Sequence, residues 1–415
     1  MSAIVSPAAE DADRWRILAI LGVGELLAMS PWLSASAVAP LLIADWSLAG
    51  LDVALMTVAV QLGFVVGALL LAATGAADVV SGRRLFLAGA ILAAVANLGF
   101  AYVAAALPAA LAFRFLTGFA LAGVYPVGMK IVTGWFRLER GFAIGVLVGA
   151  LTLGSALPYL FRGIGAMSGL DWHAVVAGAS LAAIVGGALV ATFTRAGPYD
   201  TRAPRFSLDV ARRAFAERSV RLVNVGYLGH MWELYAMWTW IPAFFAASFA
   251  AAGLADPAIA SLAAFLVVGA GGIGCIVAGA IADRVGRTAL TMTAMAISGS
   301  TAVAIGFLFG APPAVTLVLG IVWGVPVVAD SAQFSTATTE LGPPGTAGSA
   351  LALQTASGFL LTGVTILLVG VLTAAGGPGW QVAFALLAIG PAVGVLAMGR
   401  LRRLPEADRM AGGRR

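Results

Sequence analysis

Apolar residues in this chain gather in long runs, with the polar residues between them. The runs fall at about 17–44, 53–77, 85–106, 109–136, 141–165, 172–194, 222–249, 257–282, 288–311, 313–338, 347–375 and 379–399. Each approaches or exceeds the ~20 mostly apolar residues that an α-helix needs to cross a bilayer. The pattern predicts twelve transmembrane helices and an all-α membrane protein. The longest polar connection, 195–221, contains seven arginines and divides the chain into six-span halves, 1–194 and 222–415.

Composition agrees with the pattern. Hydrophobic residues make up 61% of the 415 positions and charged residues 10%, against roughly 25% charged in a soluble domain. Charge this sparse cannot cover a soluble surface, so most of the surface faces lipid. The formal net charge of +5 does not indicate a nucleic-acid partner, because the basic residues lie in loops and tails. With the N-terminus in the cytoplasm, Arg14, Arg16, Arg83, Arg84, Arg137, Arg140, the seven linker arginines, Arg284, Arg287 and six arginines of the C-terminal tail all fall on that side. Only Arg114, Lys130 and Arg162 of the 24 basic residues are left over. Asp45, Asp52, Asp171 and Asp256 fall on the other side. Basic loops stay cytoplasmic, so both termini are expected there, in the inner membrane of a bacterium. Arg14 and Arg16 before an apolar stretch ending near Ala35-Ser36-Ala37 have the outline of a signal peptide. The mid-run Glu25 and the length of the run argue instead for a retained span. The single cysteine, Cys275, excludes an intrachain disulfide.

The halves repeat each other. The loop after span two reads Asp78-Val-Val-Ser-Gly82-Arg83-Arg84, and the loop after span eight Gly279-Ala-Ile-Ala-Asp283-Arg284-Val-Gly286-Arg287. Arg140-Gly141-Phe-Ala143 after span four returns as Pro344-Gly345-Thr-Ala347 after span ten. All are offset by 204 or 205 residues, which indicates a duplicated six-helix unit. The loop Gly279–Arg287 resembles the signature loop of the major facilitator superfamily: Gly, three residues, Asp-Arg, one residue, Gly-Arg. The first copy departs from it, with Val79 in place of the first arginine and one residue inserted before Gly82. Arg114-Phe-Leu-Thr-Gly118 in span four is similar to that superfamily's Arg-x-x-x-Gly motif. The resemblance implies two pseudo-symmetric six-helix bundles around a central cavity. It also implies a gating role for Asp78, Gly82, Arg83, Gly279, Asp283, Arg284, Gly286 and Arg287.

Ionisable residues at lipid depth are costly and mark function. Here they are Glu25 in span one, Arg114 and Lys130 in span four, His230 and Glu233 in span seven, and Asp330 in span ten. In the superfamily plan these four spans line the cavity. Glu233 lies about 16 Å into its span at ~1.5 Å per residue, close to the midplane. His230 shares its helix face and stands 205 residues on from Glu25, so Glu233 is expected to carry the coupled proton or the charge that balances a cationic solute, with His230 tuning it and Glu25, Asp330 and Arg114 also in the substrate or proton site. Trp240 and Trp323 share faces with Glu233 and Asp330. Arg114 has two readings, pairing with Glu25 or binding an anionic solute. Arg162 is expected to anchor at the interface and Lys130 to snorkel or to serve the cavity. Small residues spaced by four, Gly141-Gly145-Gly149 and Gly271-Cys275-Gly279, predict close helix crossings.

Absences narrow the reading. The only lysine, Lys130, follows Met129, so there is no Gly-Lys phosphate loop and no ATP-driven motor in this chain. No His and Cys cluster suggests a metal site, and no cofactor or enzymatic activity is expected. Gly154-Ser155 stands where many drug antiporters of the superfamily carry Gly-Pro, and the sparse asparagines disfavour its nitrate carriers. The expected function is secondary active transport of a small organic solute by alternating access, proton-coupled and monomeric. Efflux of hydrophobic or cationic compounds is the alternative, and a non-transporting sensor or scaffold is the alternative of another class.

Overall fold

The computed structural model describes residues 7–137, 139–200 and 206–415, apart from the side chains of 7–12, 77 and 78. Eleven helices among them are long and apolar enough to cross a membrane. Spans two to six are Gly50–Thr74, Gly82–Tyr102, Leu107–Thr133, Arg140–Ser168 and Trp172–Phe193. Spans seven to twelve are Arg218–Ala251, Pro257–Val285, Arg287–Phe307, Pro313–Leu341, Ala347–Thr373 and Gly377–Arg402. The predicted first span is two helices, Pro7–Ala28 and Ser34–Trp46, joined by a turn.

Local chemistry sets the ends. Asp171 and Asp256 cap spans six and eight by accepting the N–H groups of Ala174 and of Ala258 and Ile259, donors that a helix N-terminus otherwise leaves unpaired. Gly75 and Gly169, both left-handed, end spans two and five. Proline has a different effect at different places. Pro31 lies in the turn of span one, and Pro126 and Pro326 follow breaks in spans four and ten. Pro158 and Pro242 sit inside unbroken helices; the Trp238 carbonyl, four residues before Pro242, accepts from Tyr159 Oη at 2.8 Å, the kind of replacement that lets a span tolerate proline.

Spans one to six pack on one another, as do spans seven to twelve. The broadest contacts between the two sets are span five on span eight and span two on span eleven. The first is a run of small residues. A methyl on Gly145 would stand 2.7 Å from the Cys275 carbonyl oxygen, and one on Gly279 would stand 2.7 Å from the Gly141 carbonyl oxygen. The backbones therefore touch directly. Further along, Gly163 meets Leu262 and Ala258, so the two helices stay in contact along most of their length.

Candidate functional site

The turn in span one is built around Arg114. Leaving the helix at Ala28 breaks the regular i to i+4 ladder, and the turn carbonyls that follow are only partly met by later backbone groups, such as Ser34 N–H on the Pro31 carbonyl at 3.4 Å. Arg114 Nη2 donates to the carbonyls of Pro31 (3.0 Å) and Trp32 (2.6 Å), and Nη1 donates to Ser34 Oγ (3.0 Å) and Asn97 Oδ1 (2.7 Å). Asn97 is held in turn by donating to Ser180 Oγ and the Val176 carbonyl. The guanidinium also lies 5.6 Å from the Phe100 ring centroid. The pairing with Glu25 considered from sequence is not formed: the fork is committed to the turn. Gly118, four residues on, has the second duty of that motif. A methyl there would stand 1.9 Å from the Val60 carbonyl oxygen, so span four crosses span two at backbone contact.

The other sequence candidates fall into two buried groups. Glu25 lies against Gly128 just past the break in span four, where an added methyl would come within 2.5 Å of Oε2. Tyr125 is within electrostatic reach of Glu25 and of Cys275 on span eight. Both Glu25 oxygens are buried without a hydrogen-bond donor. In the second half, His230 Nδ1 stands 2.9 Å from Asp330 Oδ1. That is an ion-pair separation, yet no donor is in hydrogen-bonding geometry with either Asp330 oxygen, and His230 Nε2 is also unpartnered. Asp330 sits at the break in span ten. His230 and Asp330 stand 205 residues on from Glu25 and Tyr125. The duplication thus repeats one pair of positions, a first-helix residue against the break of the fourth.

Glu233 is not hydrogen-bonded to its helix neighbour His230. Its Oε1 accepts from Trp323 Nε1 at 2.8 Å, and its Oε2 accepts a short bond from Ser298 Oγ. Trp323 is thereby a partner of Glu233 inside the second half. Trp240 donates from Nε1 to the Ile366 carbonyl at 2.9 Å and packs beside Gly370 and Trp380, between spans seven, eleven and twelve. Arg162 is buried at the far end of span five.

Several residues meet between the halves, and of these Gln61, Phe64, Ser155, Tyr159, Phe359 and Thr362 were not singled out from sequence. Trp32 lies 5.9 Å from Tyr235 and 5.7 Å from Phe359, and Phe64 lies 4.9 Å from Phe359, centroid to centroid. Tyr159 Oη donates to the Trp238 carbonyl at 2.8 Å, and Thr362 Oγ1 donates to Gln61 Oε1 at 2.9 Å. Trp32 Nε1, Gln61 Nε2 and Ser155 Oγ are buried with no partner. The available signal was a glutamine or serine inside an apolar run, weaker than a charge.

At the end carrying the termini, Arg287 is buried among acceptors. Nε and Nη2 each donate to a Glu340 oxygen at 2.7 Å, Nη2 donates to Asp283 Oδ1 at 2.9 Å, and Nη1 donates to Gln333 Oε1 at 2.8 Å. Asp283 also faces the start of span five, 3.9 Å from where a Gly141 methyl would sit. Gly286 has φ +96°, and the Arg414 and Arg415 carbonyls lie against it, so a side chain there has neither the conformation nor the room. Arg284 is exposed. In the first copy, Gly82 packs on Ile131 and Val127, and Arg83 Nη1 lies 3.5 Å from the Thr194 carbonyl. The Asp78 side chain lies outside the described residues. Glu340 and Gln333 were missed because nothing local marks them as partners of residue 287. Among the described residues, no three of His, Cys, Asp and Glu come together as a metal site.

Two repeated six-helix sets, broken first and fourth helices and buried ionisable groups between them define a secondary transporter of the membrane, not an enzyme. The chain belongs to the Major Facilitator Superfamily, whose family model matches residues 21–354. A curated relative, the MFS-type transporter pytF of Aspergillus terreus, is 25% identical over 211 residues, covering 51% of this chain and 69% of the relative. The fold is shared with the proton:xylose symporter XylE bound to 6-bromo-6-deoxy-D-glucose (TM-score 0.73, 15% identity, 94% of this chain and 96% of the other). It is also shared with a bacterial homolog of the human lysosomal transporter Spinster in an inward-facing conformation (TM-score 0.67, 15% identity, 94% and 95%).

Proposed function

We propose that this transporter couples movement of a small organic solute to protons by alternating access, with Glu25 and the His230–Asp330 pair handling the proton. One observation carries the reading: all four carboxylate oxygens of Glu25 and Asp330 are buried without a hydrogen-bond donor. An ionised carboxylate in that state costs several kcal/mol, and a proton or a cationic ligand group removes the cost. Glu233, already accepting two hydrogen bonds, has no such need. The halves 1–194 and 222–415 then rock about the smooth five–eight and two–eleven contacts, with the Asp283–Arg287–Glu340 cluster holding one end. Orientation follows the basic residues, with both termini and the linker cytoplasmic in a bacterial inner membrane, and the unit is the monomer.

A second reading, efflux of hydrophobic or cationic compounds, rests on the rings of Trp32, Phe64, Tyr235 and Phe359 where the halves meet, since aromatic faces attract cations. The experiment is reconstitution with a solute found by thermal-shift screening. Glu25→Gln and Asp330→Asn are expected to abolish uphill, proton-driven accumulation while exchange between equal pools continues. Wild-type pH dependence in both variants refutes the assignment, and the absence of any solute-dependent proton flux in wild type favours a sensor.

A further inference from the structure

We propose that a cleft at the terminus-bearing ends of spans one, three and six binds a phosphate anion supplied by an anionic membrane lipid. The cleft holds about 270 Å³ and is lined by Asp13, Arg16, Ile17, Arg83, Thr194 and Arg195, with Phe193 at its edge. That is close to the low end of small-ligand pockets, ~300–1,000 Å³.

Three guanidinium groups face one carboxylate, and that carboxylate is taken: Asp13 pairs with Arg195. Arg195 is fixed further, its carbonyl accepting from Trp135 Nε1 at 3.0 Å and its guanidinium lying 5.4 Å from the Trp135 ring. The other two cations keep their donors. Arg83 gives one N–H to the Thr194 carbonyl in a long bond of 3.5 Å, which leaves its other donors available. Arg16 has no partner among the described residues. Two guanidinium groups with donors to spare beside a neutralised pair suit one phosphate, which accepts bidentate N–H bonds.

The position selects a lipid as the source. Arg83 is the second residue of span three and Phe193 the last of span six, so the cleft sits at head-group level. Ile17 and the half-exposed Phe193 continue it toward the apolar flank, where acyl chains run. Basic pockets between spans at this level hold lipid head groups. The bound phosphate would tie the linker's first residue to the loop after span two.

The test is native mass spectrometry of the detergent-purified full chain after delipidation and incubation with phosphatidylglycerol or phosphatidylcholine. Wild type should retain one phosphatidylglycerol and no phosphatidylcholine. The Arg16→Gln/Arg83→Gln variant should lose it by roughly tenfold or more, as removal of charge-assisted bonds implies. The Arg212→Gln/Arg213→Gln variant, with the same charge change on the linker helix, should retain it. All four side chains are exposed, so folding is not at issue. Equal loss in both variants, or equal retention of phosphatidylcholine, overturns the site. If millimolar inorganic phosphate displaces the lipid from wild type, the source is free phosphate and the lipid assignment is overturned.

Discussion

Replacing Arg114 separates a positioning role from a solute-binding one. In Arg114→Gln the guanidinium disappears and four buried acceptors lose a donor: the Pro31 and Trp32 carbonyls, Ser34 Oγ and Asn97 Oδ1. The Pro31 carbonyl and Asn97 Oδ1 can still accept from the Ser34 hydroxyl, so the Trp32 carbonyl and Ser34 Oγ are the groups left stranded. Each stranded group costs about 1–3 kcal/mol. The contributions are not additive, and losing one partner from a buried charged network costs roughly 3–5 kcal/mol as a whole. At about 2–4 °C per kcal/mol for a unit the size of one half, the melting midpoint in detergent should fall by roughly 6–20 °C. Arg114→Lys keeps the charge but replaces a planar fork with a point donor, so it should fall about halfway. The assay is a thermal melt followed by tryptophan fluorescence, run beside solute binding on the fraction that stays folded. That fraction should bind with near wild-type affinity, because the fork reaches the turn and not the solute. A variant that melts like wild type but has lost binding would refute this and return Arg114 to the solute site.

Other outcomes follow from single contacts. Glu233→Gln should keep uphill accumulation, because the amide oxygen still accepts from Trp323 and the Ser298 hydroxyl can turn to accept; Glu233→Leu should destabilise by about 1–3 kcal/mol per stranded donor. Loss of accumulation in Glu233→Gln at normal stability would make Glu233 the coupling group. Gly145→Ala places a methyl 2.7 Å from a backbone oxygen, so spans five and eight must separate, and labelling of Cys275 by a thiol reagent should quicken; unchanged labelling would count against backbone contact there. Asp283→Asn removes an ion pair on a mostly exposed carboxylate, so transport should slow while equilibrium solute affinity holds, and a parallel fall in both would argue against gating. An impermeant reagent should label a cysteine at position 200, in a Cys275→Ser background, only from the cytoplasmic side.

The spans were legible because crossing a bilayer is a local demand. Any stretch of ~20 apolar residues meets it regardless of its neighbours, and the duplicated loops announced the two-fold plan for the same reason. The breaks were half legible. Pro31, Pro126 and Pro326 stand at them, but Pro158 and Pro242 look the same in sequence and leave their helices whole; for Pro242 the freed Trp238 carbonyl finds Tyr159 on another span, a partner that only packing supplies. Partners were not legible at all. Sequence spacing set His230 beside Glu233, one turn apart on a single face, yet the fold gave His230 to Asp330 and Glu233 to Trp323 and Ser298. Arg114 went to a turn some eighty positions earlier. A buried polar group takes whichever donor or acceptor packing brings within 3 Å, and that is a property of helices meeting in space. The sequence alone determined which residues are too costly to leave in lipid without a use. Only the tertiary structure decided which of them already accept hydrogen bonds, and Glu25 and Asp330, whose carboxylate oxygens have no hydrogen-bond donor, are the ones on which we base the proposed coupling.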